Sequence, residues 1–178
     1  MTIAIVAVVA ALVVAGVFLA RRRRRTPGTA QASSPRRVLV PFTGGALEPT
    51  VLAAAIRIAR AEEATLVPAY LLVVPLELPP DAAVQQQVGV AMPLLEAVEN
   101  AALRAGVPVD ARVESGRSPI HALQRLWEVE HFDRIVAPAP AGREPGFSPK
   151  DLTWMIVHAP GELVILRPDP AERPPTGR

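Results

Sequence analysis

The chain has 178 residues, no cysteine, and 19 basic against 17 acidic side chains, which gives a formal net charge of +2. Five arginines stand together at positions 21–25, so residues 1–25 carry +5; the others, with 14 basic against 17 acidic side chains, carry −3. Half of the residues are hydrophobic, which excludes a disordered tail protein. The lack of cysteine excludes disulfides, thiolate metal sites and a cysteine nucleophile. The acidic remainder argues against nucleic acid as a partner.

An apolar run opens the sequence: residues 3–20 are all apolar. As a helix rising ~1.5 Å per residue, this run spans about 27 Å, close to the ~30 Å thickness of a bilayer's hydrocarbon core. A buried helix of a soluble core is less consistent with a run that has no polar face. A cleaved signal peptide would carry its basic residues before the apolar run, whereas here they follow it. The pattern therefore predicts one transmembrane helix over residues 1–20.

A basic belt follows this run and consists of Arg21, Arg22, Arg23, Arg24 and Arg25. Arginines beside a span stay on the cytoplasmic side, so we expect the N-terminus outside the cell (inner) membrane and the rest of the chain in the cytoplasm. Each arginine could gain about 1 kcal/mol from anionic lipid headgroups. A nucleic-acid role for the belt is disfavoured because it abuts a spanning helix. Residues 21–35 thus form the belt and a flexible linker.

Apolar runs of strand length alternate with helix-like stretches in the remaining sequence. The predicted strands are residues 38–42, 65–74, 107–115, 134–137 and 163–166. The predicted helices are residues 49–61, a long helix ending near 105, and residues 119–131 and 149–158. This alternation is typical of βαβ units with a parallel sheet. It predicts one α/β domain over residues 36–168, followed by a disordered tail over residues 169–178.

Two of the helices start with the same local signal, Ser118-Pro119 and Ser148-Pro149, in which a capping hydroxyl precedes a proline at the first helical position. Asp151 follows Ser148 by three residues, which is the place of the acid in a capping box. In the last helix, Leu152, Met155, Ile156 and Ala159 share one predicted apolar face.

The strand patterns also indicate which strands are central and which lies at an edge of the sheet. The first, second and fourth strands are nearly all apolar, as expected of central strands covered on both faces. The third alternates apolar and polar residues and is expected at an edge. Pro68 cannot donate a ladder hydrogen bond, so a bulge or a later strand start is expected there. Residues 75–92 are expected to form a loop leading into the long helix.

Four segments give the sequence a resemblance to the universal stress protein family over residues 36–168. They are residues 37–45 (RVLVPFTGG), 114–120 (ESGRSPI), 132–136 (FDRIV) and 158–168 (HAPGELVILRP). The most specific is the last, because the family closes its last helix with His-Ala-Pro before the final strand. The resemblance implies a five-stranded, parallel, doubly wound sheet of order 3-2-1-4-5 with helices on both faces, here preceded by a transmembrane helix.

The sequence departs from the ATP-binding members of the family after the first strand. Those members carry an aspartate there that contacts the adenosine. The matching position in this sequence is Thr43, which is followed by Gly44 and Gly45. The resemblance therefore does not carry the adenosine contact over to this chain.

A second departure affects the family's glycine motif after the fourth strand, Gly-x-x-Gly, nine residues, then Gly-Ser or Gly-Thr. Counted from the strand, the first two glycine positions fall on Pro138 and Ala141; counted back from His-Ala-Pro, the final pair falls on Pro149 and Lys150. Gly142, Gly146 and Ser148 lie near these motif positions but not at them, so they could replace the motif residues only with an offset. The resulting candidate pocket, at the carboxyl ends of the strands, consists of Thr43, Gly44, Gly45, Gly142, Gly146 and Ser148.

The start of the last helix is also poorly suited to phosphate. Such a site needs free backbone N–H groups at the positive end of the helix dipole. Pro149 removes one donor, Ser148 can satisfy another, and Asp151 places a negative charge where phosphate would sit, while Lys150 offsets this in part. We therefore expect no cofactor, with ATP as the alternative ligand.

Other chemistry is weakly supported by the sequence. The histidines, His121, His131 and His158, are too scattered for a metal site and are expected to be solvated or to cap helix ends. No Gly-x-Ser-x-Gly nucleophile elbow is present, so no catalytic residue is assigned. The glutamates at 62, 63, 128 and 130 are expected to be solvated helix ends. Trp154 is expected to pack or to lie in an interface rather than to stack on a ligand.

The last predicted strand suggests a partner, because an apolar edge strand invites pairing with another chain. Its apolar residues are Leu163, Val164, Ile165 and Leu166. The resemblance likewise implies homodimers through this strand. Attachment of such modules to membrane transporters, also implied by the resemblance, makes a transporter a second expected partner.

Taken together, these features predict a membrane-anchored cytoplasmic module, similar to universal stress proteins, that binds or regulates and is not an enzyme. The alternative is a domain that senses ATP or AMP with a remodelled phosphate loop. An enzyme of the wider adenine-nucleotide α-hydrolase-like group would need a phosphate-binding glycine loop that the sequence lacks. Fold alone does not decide among these functions.

Overall fold

The computed structural model describes residues 35–44, 47–77, 82–139 and 147–167. The predicted transmembrane helix, the basic belt, the linker up to residue 34 and the predicted tail over residues 169–178 lie outside these residues, as do Gly45, Gly142 and Gly146. Among the described helices, none is long and apolar enough to cross a bilayer.

Strands and helices alternate along the described chain, which confirms the predicted α/β class. The strands are β1 (Arg37–Phe42), β2 (Thr65–Val73), β3 (Arg112–Gly116), β4 (Arg134–Pro138) and β5 (Glu162–Leu166). The helices are α1 (Pro49–Ala61), α2 (Ala82–Arg104), α3 (Pro119–Val129) and α4 (Pro149–His158).

The five strands form one parallel sheet in the order β3-β2-β1-β4-β5, as predicted. On one side β1 pairs with β2, from Arg37 opposite Thr65 to Phe42 opposite Tyr70. On its other side β1 pairs with β4. The chain therefore builds outward from β1 to β3 and then crosses back to β4, so the connections reverse direction between β1 and β4.

The core lies on both faces of the sheet, because neighbouring residues of a strand point to opposite faces. On one face, Leu39 of β1 packs with Leu123 of α3 and Met155 of α4. On the other face, Val38 and Val40 pack with residues of α1 and α2. Residues 38–42 are all buried, which confirms the central position predicted for the first strand.

The third strand is shorter than predicted. It begins at Arg112, not at 107, and only an isolated bridge between Leu66 and Val109 precedes it. Its predicted edge position is confirmed. Pro68 explains the interruption between the bridge and the strand, as the hydrogen bonds of β2 show.

Even-numbered residues of β2 direct their N–H groups toward the β3 side. Leu66 donates to the Pro108 carbonyl and Val74 to the Gly116 carbonyl, both at 2.9 Å, with the same sequence offset. That offset places Pro68, which has no N–H, opposite the carbonyl of Asp110. The expected bulge or late strand start is therefore wrong: β2 begins at Thr65 and pairs continuously with β1. The hydrogen bond that Pro68 cannot donate is instead absent from the pairing with β3, which begins only at Arg112.

The prediction of a loop over residues 75–92 is wrong for its second half, since α2 begins at Ala82. The proline-rich start of this segment and Pro93, which lies inside the helix, hid the helical pattern. Ala91 and Leu95 are buried against Phe42 and Tyr70, so tertiary packing stabilises this part of the helix despite the proline.

A tight crossing precedes β5 at Gly161. A Cβ added there would lie 2.4 Å from the Phe132 carbonyl oxygen and 2.6 Å from that of Asp133. The contact is close because Glu162 donates its N–H to the Asp133 carbonyl at 3.0 Å, which draws the turn against the start of β4.

We predict that Gly161→Ala lowers the free energy of unfolding by about 1–3 kcal/mol, since backbone atoms must move to admit the methyl group. Urea denaturation measures the change. Gly89→Ala is the matched control: it lies in α2 with nothing within 4 Å of its added Cβ, so it should raise the free energy of unfolding by about 0.5–1 kcal/mol. Equal effects of the two variants would contradict the close contact at Gly161.

Candidate ligand site at the carboxyl ends of the strands

The candidate site lies where the strand connections reverse direction, between the carboxyl ends of β1 and β4. Thr43 and Gly44 follow β1, and Ala139 follows β4 and donates its N–H to the Leu166 carbonyl of β5 at 2.7 Å. Ser148 begins α4. Since the strands are parallel, these residues lie at one edge of the sheet, where open α/β sheets bind ligands.

Thr43 and Gly44 lie at this edge of the sheet, directly after β1. Thr43 is 8% exposed and is the buried polar residue of the described chain. Gly44 has φ of +79°, a left-handed conformation that favours glycine and turns the chain away from the strand. A neutral hydroxyl therefore stands where the resemblance implies a carboxylate.

Ser148 and Asp151 close the first turn of α4 as a capping box, which confirms the predicted cap. The Asp151 carboxylate accepts the Ser148 N–H at 2.8 Å and the Ser148 hydroxyl at 2.7 Å. The Asp151 N–H in turn donates to the Ser148 hydroxyl oxygen at 3.2 Å. Pro149 has no N–H, so only Lys150 keeps an uncommitted donor among these first four residues.

This arrangement determines what the helix start can bind. A helix N-terminus attracts anions through its free N–H groups and its positive dipole end. At α4 the Asp151 carboxylate takes the Ser148 N–H and places a negative charge at the dipole end, and the Ser148 hydroxyl takes the Asp151 N–H, which leaves only the Lys150 N–H. An incoming phosphate would have to displace that carboxylate and would meet its charge within a few ångströms.

The described chain brings three of the six predicted site residues, Thr43, Gly44 and Ser148, to the same edge of the sheet. Arg117 also lies at this edge and was not predicted. Its guanidinium donates to the Val74 and Pro75 carbonyl oxygens at 3.4 and 2.5 Å, after the carboxyl end of β2. The neighbouring Ser118-Pro119 cap was the sequence signal that could have drawn attention to it.

An ionic cluster lies at the opposite end of the sheet. Glu130 accepts from Arg37 at 2.6 Å and from Arg112 at 2.7 Å, and Asp110 bonds both arginines, at 3.0 Å for Arg37. Burial by itself would lower the pKa of Arg112, but the hydrogen bonds to Asp110 and Glu130 raise it above its ordinary value. The cluster ties the start of β1 to β3 and to the end of α3.

Two of the glutamates expected to be solvated are therefore paired instead. The Glu130 side chain is 18% exposed within the ionic cluster. Glu62 is 16% exposed and lies 2.7 Å from Arg134. The prediction failed because both residues end helices in the sequence, whereas the fold places the starts of β1, β3 and β4 beside those ends.

The remaining sequence candidates have structural roles. Trp154 stacks between Trp127 at 5.3 Å and His158 at 4.6 Å, so the packing interpretation of Trp154 is confirmed. The His121 Nδ1 accepts the Arg117 N–H at 3.3 Å in the first turn of α3. Ile156 was predicted to face the core and is 64% exposed, which corrects that part of the α4 pattern.

β5 forms the other edge of the sheet, opposite β3, as predicted. Its residues are half-buried or exposed, and Ile165 is 37% exposed. Pairing of two chains through Leu163, Val164, Ile165 and Leu166 stays a prediction of the sequence.

Comparison with known proteins agrees on the fold. No protein-family model matches the chain, and no curated protein matches it. Among solved structures, universal stress protein UspA from Lactobacillus plantarum is 17% identical, with a TM-score of 0.56, over 74% of this chain and 97% of that one. A universal stress protein in complex with cAMP is 22% identical, with a TM-score of 0.54, over 77% of this chain and 99% of that one.

A universal stress protein family protein from Arabidopsis thaliana with AMP bound is 16% identical, with a TM-score of 0.55, over 80% of this chain and 97% of that one. These similarities, together with the strand order, establish that the chain has the fold of universal stress proteins. The resemblance seen in the sequence is confirmed at the level of the fold.

Glu114 of β3 lies beside the ionic cluster. Burial raises the pKa of its carboxyl, Arg125 and Arg112 lower it, and Glu130 raises it, with a net rise. A carboxyl whose pKa rises on folding favours the folded state most below its unfolded pKa of about 4.3, and this contribution is lost as the pH rises through the folded pKa.

We therefore predict that Glu114→Gln raises the urea midpoint of unfolding near pH 7. The difference from the unaltered chain should disappear below about pH 4, where the side chain at position 114 is neutral in both proteins. Glu128→Gln, on the exposed side of α3, controls for the general loss of a negative charge. An advantage of the same size at both pH values would contradict the assignment.

Proposed function

We propose that the chain is a membrane-anchored cytoplasmic module with the universal stress protein fold, which acts by binding and regulation rather than catalysis. We also propose that it does not bind ATP in the manner usual for that family. The single observation that carries the second part is the closed capping box at the start of α4.

The argument against ATP follows from the two places that a nucleotide would use. At the end of β1, Thr43 offers a neutral hydroxyl where a carboxylate would contact the adenosine. At the start of α4, Asp151 holds the N–H and hydroxyl of Ser148. A charge of the wrong sign in the first turn disfavours a bound anion by about 0.3–1 kcal/mol, and the missing Pro149 donor adds to that loss.

The argument for the membrane comes from the sequence. Residues 3–20 are long and apolar enough to span a bilayer, and the five arginines that follow favour retention of the domain on the cytoplasmic side. A module held there would meet the cytoplasmic face of membrane proteins at high local concentration. A transporter is the proposed partner class, and a second copy paired through residues 163–166 is the proposed oligomer.

Membrane attachment is tested by fractionating cells that express the full chain. We expect it to sediment with membranes and to resist alkaline extraction, with protease reaching the domain in inside-out vesicles only. A chain lacking residues 1–20 should be soluble. Replacing the five arginines by alanine should weaken the one-sided orientation, since the charge bias is lost. Recovery of the full chain in the soluble fraction would reject the anchor.

A second candidate function is nucleotide sensing through a remodelled loop. It is favoured by the solved structures of similar fold that hold cAMP and AMP. A nucleoside monophosphate carries less negative charge than ATP, so it conflicts less with the Asp151 carboxylate. The Lys150 N–H and side chain at the start of α4 are the groups that such a ligand would use.

Thermal unfolding of the chain with ATP, AMP and cAMP separates the two candidates. A ligand at about 100 times its Kd stabilises the folded state by about 2.7 kcal/mol. We expect no shift with ATP; a shift with AMP or cAMP alone would support the sensing function. Asp151→Ala should increase the response to ATP by freeing the helix start, whereas Ser118→Ala, which opens the cap of α3, should not. A saturable ATP shift of the unaltered chain would reject the main proposal.

A further inference from the structure

The edge strand β3 presents backbone groups with which a further strand can pair. On its inner side, the Gly116 carbonyl accepts the Val74 N–H of β2 at 2.9 Å. Because successive residues of a strand direct their backbone groups to alternate sides, the N–H and C=O groups of Val113 and Ser115 point away from β2. β5, at the other edge, also has five residues. A difference between the two edges must therefore come from their side chains.

Charged side chains flank the open side of β3. Arg112 and Glu114 belong to the strand itself. Arg125 of α3 donates from Nη1 to the Ser115 carbonyl oxygen at 3.4 Å, so it occupies one of the outward backbone acceptors. Glu114 differs from the other acids nearby, because the described chain gives its half-buried carboxylate neither a hydrogen bond nor an ion pair.

This carboxylate is costly for the chain alone and more costly if a strand is added beside it. The burial that raises the pKa of the Glu114 carboxyl makes its charged form unfavourable for folding at neutral pH. Beside a second β3 strand, Glu114 would face its own counterpart, and like charges on paired strands repel. Beside a β5 strand it would face Leu163 or Ile165, which offer a buried carboxylate no polar partner. An inward-pointing charge on an edge strand is a known means of preventing such pairing.

The β5 edge carries no comparable charge. The Leu166 carbonyl accepts the Ala139 N–H on the β4 side, so the backbone groups of Leu163 and Ile165 point to the open side. Residues 163–166 are all apolar, and Ile165 is 37% exposed. A strand that pairs here buries no unpaired charge.

The helix above the β5 edge is apolar on the same side. Trp154 of α4 stacks on Trp127 of α3, and α3 lies over β3, where Arg125 reaches Ser115. Ile156 follows Trp154 by two residues, about 200° around the helix, so it points away from α3 and toward the β5 edge. It is 64% exposed. Pairing of two β5 strands about a two-fold axis would place both α4 helices on one face of the joined sheet, so a second copy would cover this isoleucine.

We propose that the two edges of the sheet differ in order to limit assembly: a second copy of the chain pairs with β5, whereas Glu114 and Arg125 block pairing at β3. The result is a closed pair of chains related by a two-fold axis. With β3 unblocked, the β3 strand of one copy could pair with the β5 strand of the next, and this contact would repeat without closing. The inference deepens the proposed pairing through residues 163–166, and the block at β3 is tested separately from that pairing.

Because the chain has no cysteine, single introduced cysteines report on each edge through a short bismaleimide cross-linker. In the full chain in lipid vesicles, we expect Ile165→Cys to give cross-linked pairs and Ser115→Cys to give almost none. Adding Glu114→Val and Arg125→Ala to Ser115→Cys should raise its cross-linked fraction about tenfold, because pairing no longer buries an unpaired carboxylate. Glu128→Val, on the exposed side of α3, adds the same apolar side chain away from the edge and should not raise it.

A chain that carries both Ser115→Cys and Ile165→Cys measures closure. Cross-linking should stop at two copies while Glu114 and Arg125 are present and should give a ladder of larger species once both are replaced. The urea midpoint of each variant shows whether it is folded. Cross-linking through Ser115→Cys alone in the otherwise unaltered chain, or no increase after both replacements, would overturn the block at β3. Absence of cross-linking through Ile165→Cys would instead overturn pairing at β5, whatever the result at Ser115→Cys.

Discussion

Burial of the parallel sheet on both faces is the constraint on which the rest of this structure depends. Residues 38–42 of β1 are buried on both sides, because α3 and α4 cover one face of the sheet and α1 and α2 cover the other. Polar chemistry is therefore restricted to the two ends of the strands. One end carries the ionic cluster of Arg37, Arg112 and Glu130, and the other carries the candidate ligand site.

The two ends differ in what their charges can do. At the amino ends, opposite charges satisfy one another and join β1, β3 and the end of α3. At the carboxyl ends, the Asp151 carboxylate places a negative charge at the start of α4. The first turn of α4 is thus closed by a carboxylate of the chain itself.

Most of the architecture could be predicted from the sequence, and for physical reasons. Nearly all-apolar strands are expected at the centre of a sheet and Ser-Pro pairs at helix starts, so the central and edge strands and the caps of α3 and α4 followed from local patterns, whereas the full sheet order was implied by the family resemblance. The start of α2 did not follow, because packing of Ala91 and Leu95 against β1 and β2 outweighs the breaking effect of Pro93. The ion pairs of Glu62 and Glu130 depend on strands distant in sequence, which no local pattern reveals.

The candidate site was predictable only in part. Thr43 was found because it occupies a position that matters in a known family, Ser148 as an offset substitute near such a position, and the capping box because its spacing is local. Arg117 was missed because its partners are carbonyl groups just after β2, more than forty residues away in the sequence. Exposure of Ile156 could not be predicted either, since four apolar residues on one helix stripe do not show how far the sheet extends beneath them.

The central claim is that Asp151 occupies the phosphate position of α4. It is tested most directly by following the backbone amide signals of Ser148, Lys150 and Asp151 by NMR while ATP is added. The structure predicts that the Ser148 and Asp151 signals keep their positions, because their hydrogen bonds to each other persist. Saturable shifts of both signals on addition of ATP would show that the capping box opens to receive phosphate, and would contradict the claim.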